Sequence, residues 1–281
     1  MPKTEFDIPY RKGLSFFACE WSPLGRSKGV ILLIHGLSDH TGRYEYVGTY
    51  FAAAGYTLIV VDLRGHGRSF GTRGHFPSYE CIMGDLTLLL KAACKRHPEL
   101  PVILYGHSMG GNLVLNYLIR NHPSVAGAVV TSPWLRLNVK PRLYKAVVAT
   151  IANKLFPSMT TPDGIIPSYL SHDEEVGVKY LADPLVHHVI TARTFFEISH
   201  AGEYALQQAG QITCQLLLMH GTDDHLTDFA ATSKFSEMVI SGLTFKPWDG
   251  LYHELHNEFE KEAILGFVRD WMDTVIIEAC Y

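Results

Sequence analysis

The chain has no long hydrophobic run, no paired-cysteine spacing and no basic cluster, and each absence removes a class of function. No apolar stretch reaches the roughly 18 residues that a membrane-spanning helix needs. The opening Met1-Pro-Lys-Thr-Glu-Phe-Asp7 lacks the apolar core of a secretory signal, so a cytoplasmic protein is expected. The five cysteines, Cys19, Cys81, Cys94, Cys214 and Cys280, are odd in number and scattered without C-x-x-C spacing. They read as reduced thiols, not as a disulfide frame or a zinc site. A net charge of −4 leaves no electrostatic footprint for nucleic acid. Charged residues make up only 19% of the 281, against the roughly 25% usual in soluble domains. With 47% hydrophobic residues, that balance suits a compact enzyme carrying some exposed apolar surface. There is no internal repeat or low-complexity tract.

What is present is an alternation. Val30–His35, Thr57–Asp62, Val102–Gly106, Gly127–Ser132, Cys214–His220 and Thr244–Trp248 read as strands, several nearly continuous in apolar residues. Strands buried on both faces have this composition when helices cover a parallel sheet. Helical patterns lie between or after them at Tyr44–Ala54, Tyr79–Arg96, Gly110–Asn121, Asp228–Ile240 and Glu254–Asp273. Such alternation implies right-handed βαβ units and a doubly wound α/β sheet. Glu5–Tyr10 and Leu14–Trp21 are expected to form an antiparallel lead-in pair. The rhythm breaks between Leu135 and about Ala192, where Pro141, Pro157, Pro162, Pro167 and Pro184 surround short helical pieces without a strand signal. A stretch of that length needs structure or function of its own. It reads as an insertion capping the C-terminal edge of the sheet, where open α/β folds bind ligands.

The densest chemical signal is Val102-Ile-Leu-Tyr-Gly-His-Ser108-Met-Gly-Gly111. A G-x-S-x-G pattern between an apolar run and a helical one places its serine on a tight, strained turn, with the oxygen exposed above the sheet. Gly106 and Gly110 let strand and helix pass without Cβ clashes. Ser108 is therefore the candidate nucleophile. It needs a base, and the base needs an orienting carboxylate, following in the order Ser, acid, His at the ends of later strands. Asp223 and Asp224 follow the strand ending at His220, with Asp228 a more distant third. His253 follows the last strand and a glycine, and His256 lies one helical turn further on. The acids not used are expected in turns or at helix N-caps. The histidine not used is expected on a solvated helix face, and His225 stands too near the acids to be the base. Backbone N–H groups of Met109 and Leu37, the latter in His35-Gly-Leu-Ser38, are the candidate oxyanion hole.

Other patterns carry less. Arg64-Gly-His-Gly-Arg-Ser-Phe-Gly71 lacks the third glycine of a dinucleotide loop, because position 70 is Phe70, and reads as a tight strand-to-helix turn. His187 and His188 are adjacent and have no carboxylate at ligand spacing, so they read as exposed cap residues and not as a metal site. Arg142–Phe156 is apolar around much of its circumference, with Lys145 and Lys154 interspersed. That suits a helix packed on the core, or one lining an acyl channel or resting on a membrane interface.

Taken together, these residues resemble the monoacylglycerol lipase and lysophospholipase group of the α/β-hydrolase superfamily. The resemblance covers nearly the whole chain, through His35-Gly-Leu-Ser-Asp-His-Thr-Gly-Arg-Tyr44, Asp62–Ser69, Gly106–Gly111, Asp183-Pro-Leu185, Gly221-Thr-Asp-Asp224 and Gly250-Leu-Tyr-His253. It implies an α/β-hydrolase core over residues 1–134 and 193–281 and a mainly helical cap over 135–192. It favours Asp224 as the acid, third after its glycine, and His253 as the base. It assigns recognition of a glycerol-like alcohol to Asp39, Arg43, His107 and Tyr180. The chain departs from the group where Leu37, Ser38 and Asp39 stand in place of a small residue, a glycine and a glutamate, which reshapes the alcohol pocket.

The expected activity is a serine hydrolysis of lipid carboxylic esters, foremost monoacylglycerols, through an acyl-enzyme on Ser108. Neither cofactor nor metal is expected, and peripheral membrane contact would run through the cap. A lysophospholipase, a short-chain carboxylesterase and a non-catalytic binding protein on the same fold are the rival readings. A serine at the elbow argues against epoxide hydrolases and dehalogenases, which place an aspartate there.

Overall fold

The structure, a computed structural model, describes residues 1–138 and 156–279. Strands β1 (Lys3–Arg11), β2 (Leu14–Trp21), β3 (Val30–Ile34), β4 (Thr57–Val61), β5 (Val102–His107) and β6 (Gly127–Thr131) come first in the chain. β9 (Gln215–Gly221) and β10 (Leu243–Trp248) follow the inserted segment, and all eight form one sheet of order β1-β2-β4-β3-β5-β6-β9-β10. From β4 to β10 every neighbouring pair is parallel. β2 alone runs against its neighbours, pairing antiparallel with both β1 and β4. The lead-in pair turns at Lys12-Gly13, both at positive φ, and extends the sheet at its edge.

The near-continuous apolar runs are explained by two cores, one on each face. Val30, Leu32 and Ile34 of β3 enter one core, and Ile31 and Leu33 enter the other. The first face is covered by helices α2 (Tyr79–Arg96), α3 (Met109–Asn121), α5 (Ala192–Gln208) and α6 (Phe229–Met238). α1 (Glu45–Ala53) and α7 (Lys261–Ala279) cover the second through Phe51, Ile264, Val268 and Met272. Each fully buried aliphatic side chain contributes about 1.5–3 kcal/mol. A polar substitution anywhere along β3 would therefore act against both layers.

Three expectations need correction. The segment 135–192 does hold strand: β7 (Thr160–Pro162) pairs antiparallel with β8 (Val189–Thr191). Its only other described helix beyond single turns is α4 (Glu174–Ala182). Secondly, α5 was not anticipated, although Ile198, Ala201, Gly202, Ala205 and Leu206 recur at helical spacing on its buried face. Gly202 is required there, because a Cβ would overlap the Leu135 carbonyl. Thirdly, the last helix starts at Lys261, not Glu254. The buried Glu258 carboxylate accepts hydrogen bonds from the backbone of Tyr252 and His172 and from Ser171, which stitches 252–258 to the inserted segment in a non-helical path. Most of the expected helix Arg142–Phe156 lies outside the described residues, as does Cys280. Cys19, Cys81, Cys94 and Cys214 are free thiols.

Candidate active site

Ser108 links β5 to α3 with φ 55° and ψ −115°, a conformation that strains any residue with a side chain. Its neighbours make the turn feasible. A Cβ at Gly110 would overlap the Ile34 carbonyl, and one at Gly106 would come within 2.6 Å of the Gly110 carbonyl. The loop after β3 passes beside the serine, so that a Cβ at Gly36 would stand 3.3 Å from that of Ser108. Leu37 on this loop and Met109 at the first position of α3 therefore flank Ser108.

Asp224 and His253 arrive from the ends of β9 and β10. His253 Nδ1 lies 2.7 Å from Asp224 Oδ2. The same oxygen receives the Thr227 hydroxyl at 2.8 Å and His220 Nε2 at 3.0 Å, while Oδ1 accepts the backbone N–H groups of Leu226 and Thr227. Burial alone would raise the Asp224 pKa. The adjacent His253 and the hydrogen bonds from His220 and His253 outweigh burial and hold the carboxyl well below the usual carboxylate range. At His253, burial works to lower the pKa, but the charge and hydrogen bond of Asp224 prevail and raise it. The two candidate acids are thus told apart by position: Asp223 is exposed, whereas Asp224 is buried. Asp228 caps α6 by accepting from Ala230 N–H.

His256 corrects an expectation. It is buried, not solvated, with its ring stacked on Tyr44 at 5.2 Å and edge-on to His107 at 4.9 Å. His187 also turns inward, its ring 4.6 Å from that of His66, and burial lowers its pKa to about 4. The loop from Arg64 to Gly71 is a structural turn. Asp62 holds it by accepting from Arg68 N–H at 2.7 Å, and Arg64 is forked onto Asp85.

Ser108 and His253 open on a cavity of about 710 Å³. Its lining includes the apolar side chains of Trp134, Ile165, Leu170, Ile190, Phe195 and Leu226. Its polar end gathers Asp39, Arg43, His107 and Tyr180 with one residue that the sequence did not single out, Glu254, whose N–H bonds the Leu170 carbonyl. Arg43 is forked onto Glu254, Nη1 to Oε1 and Nη2 to Oε2 at 2.9 Å each, and Nη1 also reaches Asp39 Oδ1 at 3.1 Å. The Tyr180 ring lies 5.0 Å from this guanidinium. His107 Nδ1 is 3.1 Å from the Thr131 hydroxyl, and burial with two neighbouring histidines pushes its pKa well down. Glu254 and His220 were missed. The signals available were an acid directly after the candidate base and a histidine before the glycine that ends β9. Ser38, at φ 58°, donates to Asp163 of the inserted segment at 2.5 Å. Among the described residues, no group of histidine, cysteine and carboxylate side chains is arranged to hold a metal ion.

Residues 25–260 match the family described as serine aminopeptidase, S33. The chain belongs to that family. It is 35% identical over 256 residues to the monoacylglycerol lipase of Mycolicibacterium smegmatis, a match that covers 90% of each chain. It is 36% identical over 257 residues to an uncharacterized abhydrolase domain-containing protein of Dictyostelium discoideum. That alignment covers 90% of this chain but spans only 27% of the longer relative. The crystal structure of the monoacylglycerol lipase of Paleococcus ferrophilus superposes with a TM-score of 0.84 at 26% identity, covering 92% of this chain and 99% of that one. Within the family, the protein falls in the monoacylglycerol lipase group of α/β-hydrolases, and its sheet is the α/β-hydrolase sheet.

Proposed function

We propose that the protein hydrolyses carboxylic esters of lipids, with monoacylglycerols as the substrate class, through an acyl-enzyme on Ser108. The observation that carries this reading is the cavity itself, which joins the elbow serine and the Asp224-paired His253 to a largely apolar lining and a cluster of polar side chains. His253 takes the proton from Ser108 Oγ as that oxygen attacks the ester carbonyl, and Asp224 holds the imidazole in its working tautomer. The negative charge on the carbonyl oxygen is met by the N–H groups of Leu37 and Met109. His253 then returns its proton to the departing alcohol, and a water activated by the same imidazole releases the fatty acid.

In this reading residues 135–192 form a cap over the C-terminal edge of the sheet, and the acyl chain lies beneath it. Asp39, Arg43, His107 and Tyr180 face the alcohol. The described part of the cap exposes Phe156, Met159, Ile166, Val178 and Leu181, an apolar face suited to resting on a lipid surface. No described helix is long and apolar enough to cross a membrane.

The test is hydrolysis of 1- and 2-monoacylglycerols of increasing chain length beside a short nitrophenyl ester. A rate that climbs with chain length on the monoacylglycerols, and is lost in Ser108→Ala, supports the reading. Turnover undiminished in Ser108→Ala overturns it.

A further inference from the structure

We propose that Glu254 sets the leaving-group charge this site accepts, turning Arg43 away from anions so that the alcohol end selects uncharged esters over phosphate-bearing ones. The inference rests on the ester-hydrolase reading and names its substrate class more narrowly. Among the described residues, Arg43 is the arginine or lysine that lines the cavity. A guanidinium captures phosphate through the same two-pronged geometry with which it captures a carboxylate. Here both prongs are taken, by Glu254 Oε1 and Oε2 at 2.9 Å, and Asp39 adds a third contact at 3.1 Å.

Neither carboxylate is free to step aside. Glu254 directly follows His253, its N–H is bonded to the Leu170 carbonyl at 2.7 Å, and its Oε2 also receives Asn257 Nδ2 at 2.6 Å. Asp39 is held by the Tyr44 hydroxyl at 2.7 Å and by His40 N–H at 2.8 Å. With Arg43 positive and Asp39 and Glu254 negative, this trio carries one net negative charge, and Asp163 also lines the cavity. Burial lowers the pKa of both His107 and His256, so neither supplies a compensating cation.

A phosphate entering here would meet two carboxylates and a guanidinium already engaged, and like charges brought together out of water repel strongly. A hydroxyl fares differently. The Tyr180 hydroxyl is buried beside this cluster and has no partner in the structure, so it is an unsatisfied polar group that carries no charge of its own. The discrimination therefore lies in charge: an uncharged alcohol escapes the repulsion from Asp39 and Glu254 that a phosphate meets. Glu254 acts through Arg43 and is a positioning residue.

The experiment compares two esters with the same acyl chain, 1-oleoylglycerol and 1-oleoyl-glycerol-3-phosphate, at equal mole fraction in neutral detergent micelles. The head-group-free nitrophenyl ester serves as the control. The wild-type enzyme should favour the uncharged ester in kcat/KM by about 100-fold, the scale of a like-charge penalty of a few kcal/mol. Glu254→Gln should shrink that preference at least tenfold, mostly by lowering KM for the phosphate ester, whereas Glu254→Asp should keep it. If Glu254→Gln does not fold, Asp39→Asn removes the same unit of negative charge and should move the ratio the same way. Equal rates on the two oleoyl esters, with the nitrophenyl ester still cleaved, overturn the inference and leave the hydrolase reading standing. So does a ratio unchanged in Glu254→Gln that still cleaves the control. Failure of the wild type on all three esters overturns both.

Discussion

Two buried acid–base groupings flank Ser108, and they are built from nearly the same parts. Behind the serine, a carboxylate, Asp224, meets histidines; at the end proposed to hold the alcohol, carboxylates Asp39 and Glu254 meet an arginine. The difference lies in the partner's proton. Imidazole can give up and retake a proton near neutral pH, whereas guanidinium keeps its own at any pH a protein survives. The first grouping is therefore suited to moving charge during a reaction, and the second to fixing charge before it starts. The donors follow that division. Asp224 is fully satisfied, so His253 has a fixed anion to lean on, whereas Asp39 and Glu254 spend their hydrogen bonds on holding Arg43 and on their own placement.

The proton-moving side should be the more costly to damage. Replacing His253 by Gln should cut kcat by about 10⁶, as removing a base that works as a unit with its serine does elsewhere. Asp224→Asn should cost about 10⁴ in kcat. It should also shift the pH profile in a stated direction. In the proposed mechanism the working base is neutral His253, and its pKa is raised, so wild-type kcat/KM should fall as pH drops through a value above about 6.5. Removing the Asp224 charge should move that acid limb to lower pH. An unmoved limb in a profile measured from pH 5 to 9 would sever His253 from Asp224.

On the charge-fixing side the largest effect should be on stability. Arg43→Met leaves two buried carboxylates without their cation, and the unfolding free energy should drop by about 3–5 kcal/mol in denaturant titration. Loss of less than about 1 kcal/mol would show that this grouping is wetter than its burial indicates. The smallest effect belongs to Ser38→Gly. It relieves a left-handed backbone, worth about 1 kcal/mol, but gives up the hydrogen bond to Asp163, so stability should stay within about 1 kcal/mol of wild type. The melting temperature reads that balance.

What the sequence could and could not reveal follows the same division. The strands were legible because burial on both faces forces apolar residues into consecutive positions, as in Val30–Ile34 and Thr57–Val61. The elbow was legible because its strain confines glycine and serine to fixed spacing. The choice between Asp223 and Asp224 was not, since neighbouring loop residues point to opposite sides and only the resemblance ranked them. The Arg43–Glu254 fork spans 211 positions of sequence, and no periodicity announces such a meeting. His256 was assigned to a solvated helix face because the pattern from Glu254 onward has helical spacing. Glu258 overrides that propensity by drawing the segment onto Ser171 and His172. The strands β7 and β8 are three residues each and solvent-facing in part, too short to print an alternation.

The hydrogen bond from Ser38 to Asp163 has a kinetic meaning as well as a static one. It ties the residue beside Leu37 to Asp163 of the inserted segment, so the loop next to the serine and that segment share one fastening. If the proposed cap lifted to admit a long chain, that loop would loosen at the same moment. Entry and bond cleavage would then be alternating phases of a cycle, with the enzyme best assembled for chemistry once the door had shut behind its substrate.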